Sequence, residues 1–340
     1  MQAQRQQTMH DFFDYPSVGA DDWGYAYQTA QVRALETQML TAATLSEMSN
    51  APDFASAVAA LAGSEYAIPA SGGDFNAILL DRREAVRELF VQLVPEEVAT
   101  LFRSRDDFAN LRVAVRRAVL DKSIGTDYSS GGNVPPELFE QVFQGENYTL
   151  LPDPLPQVTE EAVLAYYQNK DIRQIDHAID AAQARYEQGT AEQLDSAFLW
   201  NLFHVQVDLT NLRTMLRQKL MEIDQRDVFL DGGFVDRERF WTGLDAGYDA
   251  LGGLFMATPY QHILEVGAAY VAANQSFLKV EQLCDQYLLG FLKSTSQITA
   301  GLQPVVAYLL MAEHEIRTVR LILTAKKNHL DTKLILDRVA

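Results

Sequence analysis

Six histidines, one cysteine and a few adjacent carboxylates are the residues of this chain that could do chemistry, and their spacing decides which chemistry is open. The histidines are His10, His177, His204, His262, His314 and His329. No two fall at i, i+3 or i+4, and none has Glu three residues before it, so the Glu-x-x-His pairs of helical di-iron sites are not encoded. Glu313-His314-Glu315 is a run of consecutive residues, which point to different sides of a helix, and reads as a surface cluster rather than a metal-ligand set. Gly131-Gly132 and Gly232-Gly233 lack the lysine and the preceding strand of a phosphate loop, and read as chain reversals needing positive φ. No G-x-S-x-G elbow occurs. Cys284 lies in the apolar stretch Val280 to Leu292 and reads as a buried, inert thiol. Glu96-Glu97 and Glu160-Glu161 are adjacent rather than facing, and both read as helix N-terminal acids, the second after a Thr159 N-cap. The chain is expected to be non-catalytic, with no cofactor and no metal.

What does recur is polar and helical. Asp107-Phe-Ala-Asn110-Leu-Arg112-Val-Ala-Val-Arg116 matches Asp208-Leu-Thr-Asn211-Leu-Arg213-Thr-Met-Leu-Arg217, and Gly131-Gly132 matches Gly232-Gly233 at the same offset of 101 residues. The shorter signature of an aliphatic residue, Arg and a small or apolar residue adds Val32-Arg33-Ala34 and Val319-Arg320-Leu321. Two matches at one offset indicate internal duplication, which builds shape and surface rather than an active site. On a helix, Asp107 and Asn110 share a face, with Arg112 and Arg116 forming a basic stripe one turn on. Two readings stand. Asn and Arg tie neighbouring helices within a unit, or stripes from several units converge on a cavity that takes an acidic or polar helix end.

The elements that position these residues are helices. Val205, Leu209, Leu212, Leu216 and Leu220 form one stripe, Phe108, Leu111, Val115 and Val119 its counterpart, and Ile316, Val319 and Leu323 a third. Clean two-residue alternation is scarce, so the expected fold class is all-α. Helices are expected to stop at the breakers of Ser123–Pro136 and at the three prolines of Leu151–Pro156, and one can restart at Pro135-Pro136-Glu137. A further breaker is Asp231-Gly232-Gly233. The resulting expectation is an N-terminal extension, 1–20, and three helical units at 21–122, 123–230 and 231–340.

With 340 residues the chain has ample length for a buried core. Its net charge of −18 argues against nucleic acid as a partner, since phosphate binding needs clustered Lys and Arg. A single cysteine cannot form an internal disulfide, which fits a reducing, cytoplasmic compartment. The longest uninterrupted apolar run, Val305 to Ala312, is about half of what spans a bilayer. No direct membrane span is expected.

Asp208-x-x-Asn211-Leu212-Arg213-Thr214-x-Leu216-Arg217-x-Lys219 resembles the repeated D-x-x-N-L-K-T-L-L-R-A-K helix of the C subunit of prokaryotic V/A-type ATPases, the counterpart of the eukaryotic d subunit. Tyr25 to Leu35 resembles the opening Y-x-x-A-R-V-R-A-L helix of that family. Gly63-Ser-Glu-Tyr66 and Thr258-Pro-Tyr260 are similar to its G-T-x-Y elements. Val306 to Leu323 is similar to its Y-L-L-A-K-E-x-E-I-R-N-L-R-I-I-L tail. The chain departs at Thr318, where the family has Asn, and at Arg112 and Arg213, where Lys is common. Thr for Asn removes one polar partner and so puts a shared hydrogen bond in question.

The resemblance implies a funnel-shaped, all-helical subunit of three related units about a pseudo-threefold axis. It implies a place on the cytoplasmic face of the membrane, one copy per complex, between the central shaft made by the D and F subunits and the membrane proteolipid ring, with ATP chemistry done elsewhere. Arg33, Arg112, Arg213, Arg317 and Arg320 are then the candidate partner-binding residues. The competing reading is an all-helical scaffold or regulatory adaptor unrelated to rotary ATPases, which genomic neighbours would separate.

Overall fold

The apolar stripes of the sequence become helices throughout. In the computed structural model, which describes residues 14–66, 68–69, 73–122 and 127–339, 15 α-helices are joined by short turns and 3₁₀ segments, with no strand among the described residues. They are α1 Ala26–Glu36, α2 Ala42–Asn50, α3 Phe54–Ala59, α4 Phe75–Leu93, α5 Glu96–Val119, α6 Pro136–Gln144, α7 Leu155–Asn169 and α8 Arg173–Gln193. There follow α9 Ala197–Met221, α10 Arg237–Asp245, α11 Leu251–Leu254, α12 Gln261–Asn274, α13 Leu278–Lys293, α14 Leu302–Lys327 and α15 Thr332–Val339. His10, Gly125 and most of the 1–20 extension lie outside the described residues.

Local chemistry sets the helix starts. Thr41, Asp53 and Asp74 cap α2, α3 and α4, each side-chain oxygen accepting a first-turn N–H at 3.1, 2.8 and 3.2 Å. α5 opens on Glu96 and Glu97 and closes on Arg116 and Arg117, opposite charges at the two ends of its dipole. α6 starts at Pro136 with Glu137 in its first turn, as its sequence dictates. Contrary to expectation, Thr159 is no N-cap. α7 begins at Leu155, because proline costs nothing in a first turn whose N–H groups have no helical partner. Thr159 is therefore interior and fully buried, its hydroxyl donating to Leu155 O at 2.8 Å. Glu160 and Glu161 sit past the first turn, where Glu161 pairs with Arg185 at 2.8 Å.

The chain forms two compact units, one of Pro95–Asn211 with Gln225–Glu238, the other of Met1–Val94, Leu212–Asp224 and Arg239–Ala340. In the first, α5 packs against α6, α7 and α8. Its core holds Phe108, Leu111 and Val115 of the predicted stripe with Phe139, Val142, Val158, Ile175 and Ile179. Burial of a ring such as Phe139 contributes about 2 kcal/mol of transfer free energy. In the second, α14 is the central helix, packed by α1, α2, α3, α4 and α13, while α12 packs on α13 and α15 on both α2 and α13. Ile316, Val319 and Leu323 are buried as their spacing requires.

Candidate functional site

The recurring Asp and Asn hold loops. In α5, Asp107 is buried and accepts from the backbone N–H groups of Asn133 and Val134 at 3.1 and 2.9 Å, and from the Asn133 side chain at 2.9 Å. Three residues on, Asn110 accepts from Ser129 N and donates to Ser129 O, both at 2.8 Å. One amide side chain thus satisfies both backbone groups of one residue, as a strand neighbour would. In α9, Asp208 accepts from Phe234 and Val235 N–H, both at 3.1 Å, and Asn211 takes Leu230 N and O at 2.8 and 2.9 Å. The sequence separations, 26, 27 and 19 residues, are the same in both copies.

This clamp explains the repeated glycines better than chain reversal does. A Cβ on Gly132 would sit 2.1 Å from the Asp107 Oδ1, and one on Gly233 at 2.1 Å from the Asp208 Oδ1. The second glycine of each pair makes room for the carboxylate. Only Gly232 among the four has positive φ, at +86°.

The arginines tie helices together. Arg112 on α5 binds Asp180 and approaches Asp176 of α8 at 3.6 Å, and Arg116 binds Asp176. Arg213 on α9 binds Glu281 and Asp285 of α13 at 2.7 and 3.1 Å, and Arg217 binds Glu281 at 2.6 Å. In each copy the acids are the fourth and eighth residues of the partner helix, one turn apart on one face. Burial pushes the Asp180 carboxyl up against the pull of Arg112. These pairs are mostly shielded, and so are stiffer links than exposed ion pairs.

A third clamp is made by α14. Glu315 lies five residues before Arg320, as Asp107 and Asp208 lie five before Arg112 and Arg213. It accepts from Leu40 N at 2.5 Å and from the Tyr66 hydroxyl at 2.8 Å. The clamped residue is followed two positions later by a helix of nine residues in every copy: α6 after Val134, α10 after Val235, α2 after Leu40. The third copy therefore takes its loop from the N-terminal part of the chain. Thr318, in the place of Asn110 and Asn211, donates instead to His314 O of its own helix at 3.0 Å. The reason is local. Ser129 and Leu230 lie five residues before the clamped valine, but the corresponding Leu35 lies within α1, whose own hydrogen bonds occupy its backbone. No amide side chain is needed there.

The sequence-predicted arginines thus divide. Arg112 and Arg213 are held by carboxylates, and Arg33 pairs with Glu36 at 2.8 Å and donates to Thr295 O at 2.7 Å. Among the described residues Arg317 and Arg320 form no ion pair, and Arg317 is exposed. The carboxylates that complete the ladders and the Glu315 clamp were not found by sequence reasoning. The two turn elements do share a geometry. Ser64 and Thr258 hydroxyls each accept from the backbone N–H of the tyrosine two residues on, Tyr66 at 3.2 Å and Tyr260 at 3.3 Å, and both tyrosines are buried.

Cys284 is buried and its thiol is pushed up to about 12 by burial. No group of three His, Cys, Asp or Glu among the described residues is placed to hold a metal ion. Glu313-His314-Glu315 is not the surface cluster its sequence suggests, since Glu315 is buried. Glu313 and Glu315 face different neighbours, Arg87 at 2.6 Å and Tyr66. Among the described residues are two open clefts. One of about 510 Å³ is lined by Glu96, Glu97, Arg185 and Tyr186, the other, of about 230 Å³, by Lys219, Glu222, Asp245 and Tyr248. In the second, the Lys219 ammonium is spent on the carbonyls of Leu244, at 3.0 Å, and Ala246. Among the described residues no helix is long and apolar enough to cross a membrane.

Comparison with known proteins is consistent with this architecture. The family model described as ATP synthase (C/AC39) subunit matches residues 28–338. The chain is similar to the C subunit of the V-type sodium ATPase of Enterococcus hirae, 24% identical over 272 residues, covering 78% of this chain and 82% of that protein. It is also similar to the C subunit of the A-type ATP synthase of Pyrococcus abyssi, 23% identical over 325 residues, covering 88% and 85% of the two chains.

Proposed function

This chain belongs to the ATP synthase (C/AC39) subunit family, and from that premise we propose that it is the non-catalytic central-stalk subunit of a prokaryotic V/A-type rotary ATPase. In this reading one copy per complex sits on the cytoplasmic face of the membrane. It links the shaft of D and F subunits to the proteolipid ring and passes torque between them for ion transport, its three related units set about a pseudo-threefold axis. The observation that carries the reading is the repeated clamp. A torque adaptor needs segments that do not slide on one another, and each copy locks a loop to a long helix through a buried carboxylate, with two copies adding a shielded arginine ladder. Close-packed helices joined this way pass strain on rather than absorb it.

The test is capture of the purified full-length chain by co-expressed D and F subunits, and separately by the detergent-solubilised proteolipid ring. One-copy binding to either, with no ATP hydrolysis by the chain alone, is the expected result. A well-folded helical chain that binds neither overturns the reading.

A further inference from the structure

Two helices end at one cleft. The C-terminal turns of α9 and α10 frame the smaller opening, of about 230 Å³, with Tyr248 just past α10 as one wall. Three acids line it, Glu222 and Asp224 just past α9 and Asp245 at the last position of α10, and all three are exposed. Carboxylates are unfavourable there, because the carbonyl end of a helix already carries negative partial charge. α5 follows the rule, closing on Arg116 and Arg117, whereas α10 has no base in its last turn. The cleft is smaller than the roughly 300 Å³ at which small-molecule pockets begin, and so suits one side chain.

The duplication supplies an internal control. At the matching positions behind α5 and α6 stand Arg117, Asp121, Lys122, Ser123 and Gln144, with Tyr148 in the place of Tyr248. That copy offers two bases and one acid, where the α9 copy offers one base and three acids. The acidity is therefore particular to this cleft and not a demand of the shared architecture. The chain also shows that the cleft accepts a cation. The Lys219 ammonium lines it, donating to Leu244 O at 3.0 Å and to Ala246 O, with the Tyr248 ring centroid 5.3 Å away. Burial pushes this ammonium down and Asp245 pulls it back up. One lysine bonded to carbonyls does not balance three carboxylates.

We propose that this cleft receives an arginine side chain from a basic segment of another subunit, its guanidinium among the Glu222, Asp224 and Asp245 carboxylates and its stem along Ile223 and Tyr248. Arginine fits better than lysine. The carbonyl acceptors are held by Lys219, and the further acceptors are carboxylates, which a planar guanidinium meets in pairs. The net charge of −18 draws a basic partner, and the cleft then fixes its register. This rests on the reading of the chain as a partner-binding subunit.

Met221, 60% exposed beside Glu222, gives a reporter position, and the native Cys284 is buried. The full-length chain carrying Met221→Cys is labelled with an environment-sensitive fluorophore and titrated with a capped alanine peptide holding one arginine. The control is the same peptide with citrulline, the uncharged isostere. A saturable change with arginine, at least about tenfold weaker with citrulline, is the expected result. Glu222→Gln/Asp245→Asn is expected to weaken arginine binding by at least about fivefold. Asp81→Asn/Glu84→Gln, which removes two exposed acids of α4, is expected to change it by less than about twofold. Should the cleft double variant lose helicity, Glu222→Gln alone replaces it, with an expected loss of at least about twofold. Equal response to the two peptides, or no saturable response, overturns the proposal. So do equal losses in the two double variants, which would mark general attraction to an acidic surface. Capture of the wild-type chain by the D and F subunits or by the ring is scored separately, so failure of this inference and failure of the functional reading are distinguishable.

Discussion

Asp107 and Asp208, 101 residues apart in the chain, hold the same two backbone N–H groups of their respective loops, 26 and 27 residues downstream of each carboxylate. The duplication visible as letters is thus a duplication of hydrogen bonds. A carboxylate buried for this purpose costs desolvation, and burial pushes the Asp107 carboxyl up even while the Asn133 and Val134 donors pull it down. The position persists because removing the acid would strand two donors.

Asp208→Ala is accordingly expected to destabilise the fold by about 3 kcal/mol, the order expected for two backbone donors left without a charged acceptor. Urea unfolding followed by circular dichroism measures this. A loss of less than about 0.5 kcal/mol would mean that water replaces the carboxylate without penalty.

Gly233→Ala is expected to cost about 2–3 kcal/mol, although Gly233 does not have positive φ, because the new methyl would overlap the Asp208 Oδ1. Gly253, with nothing near its missing Cβ, is the control, and Gly253→Ala is expected to be neutral or stabilising. Thermal melts of the two variants give the comparison, and equal shifts would refute the close-approach account.

The ladder predicts coupling. Arg213→Met removes the cation that Glu281 and Asp285 share, while Glu281 keeps Arg217 and Asp285 keeps Arg338, each at 2.6 Å, and is expected to cost about 2 kcal/mol. With Glu281→Gln in a double-mutant cycle, the coupling energy is expected to be about 1–2 kcal/mol. Strict additivity of the two substitutions would show that the pair does not brace α9 against α13.

Acid should loosen the protein through its buried imidazoles. His204 lies on Trp200 with ring centroids 3.6 Å apart, its Nδ1–H donates to Trp200 O at 2.7 Å, and burial pushes it down to about 4. Its folded pKa lies below the unfolded value of 6.5, so the unfolded state binds the proton first. Stability is therefore retained above pH 6.5 and lost as pH falls toward 4, by about 3 kcal/mol for this residue. Melting temperature between about pH 7 and 4.5 reads this out, and His204→Phe should flatten part of the slope. A slope unchanged in that variant would exonerate His204.

Much of the fold was legible because helical periodicity is strong: the stripes on α5, α9 and α14 are buried where their spacing placed them, save Val119 and Leu220 at the C-terminal ends of α5 and α9, which are half-buried. The polar helix repeat was equally visible, since Asp, Asn and Arg keep one offset. The acids that receive the arginines were not. Asp180 and Asp285 are 105 residues apart, against 101 for Arg112 and Arg213, so one extra helical turn hides them from any search at fixed offset. The third clamp was hidden twice over, by Glu315 standing in for Asp and by Leu40 coming from the other end of the chain. Thr159 misled because N-cap chemistry and interior back-bonding use the same hydroxyl, and only the start of α7 at Leu155 tells them apart.

The central claim is mechanical linkage, and the direct measurement is ion transport by the reconstituted ATPase complex depleted of this chain. The account predicts that the depleted complex still hydrolyses ATP but moves no ions, and that adding back the full-length chain restores transport. Transport that proceeds at the same rate per ATP without the chain would contradict it.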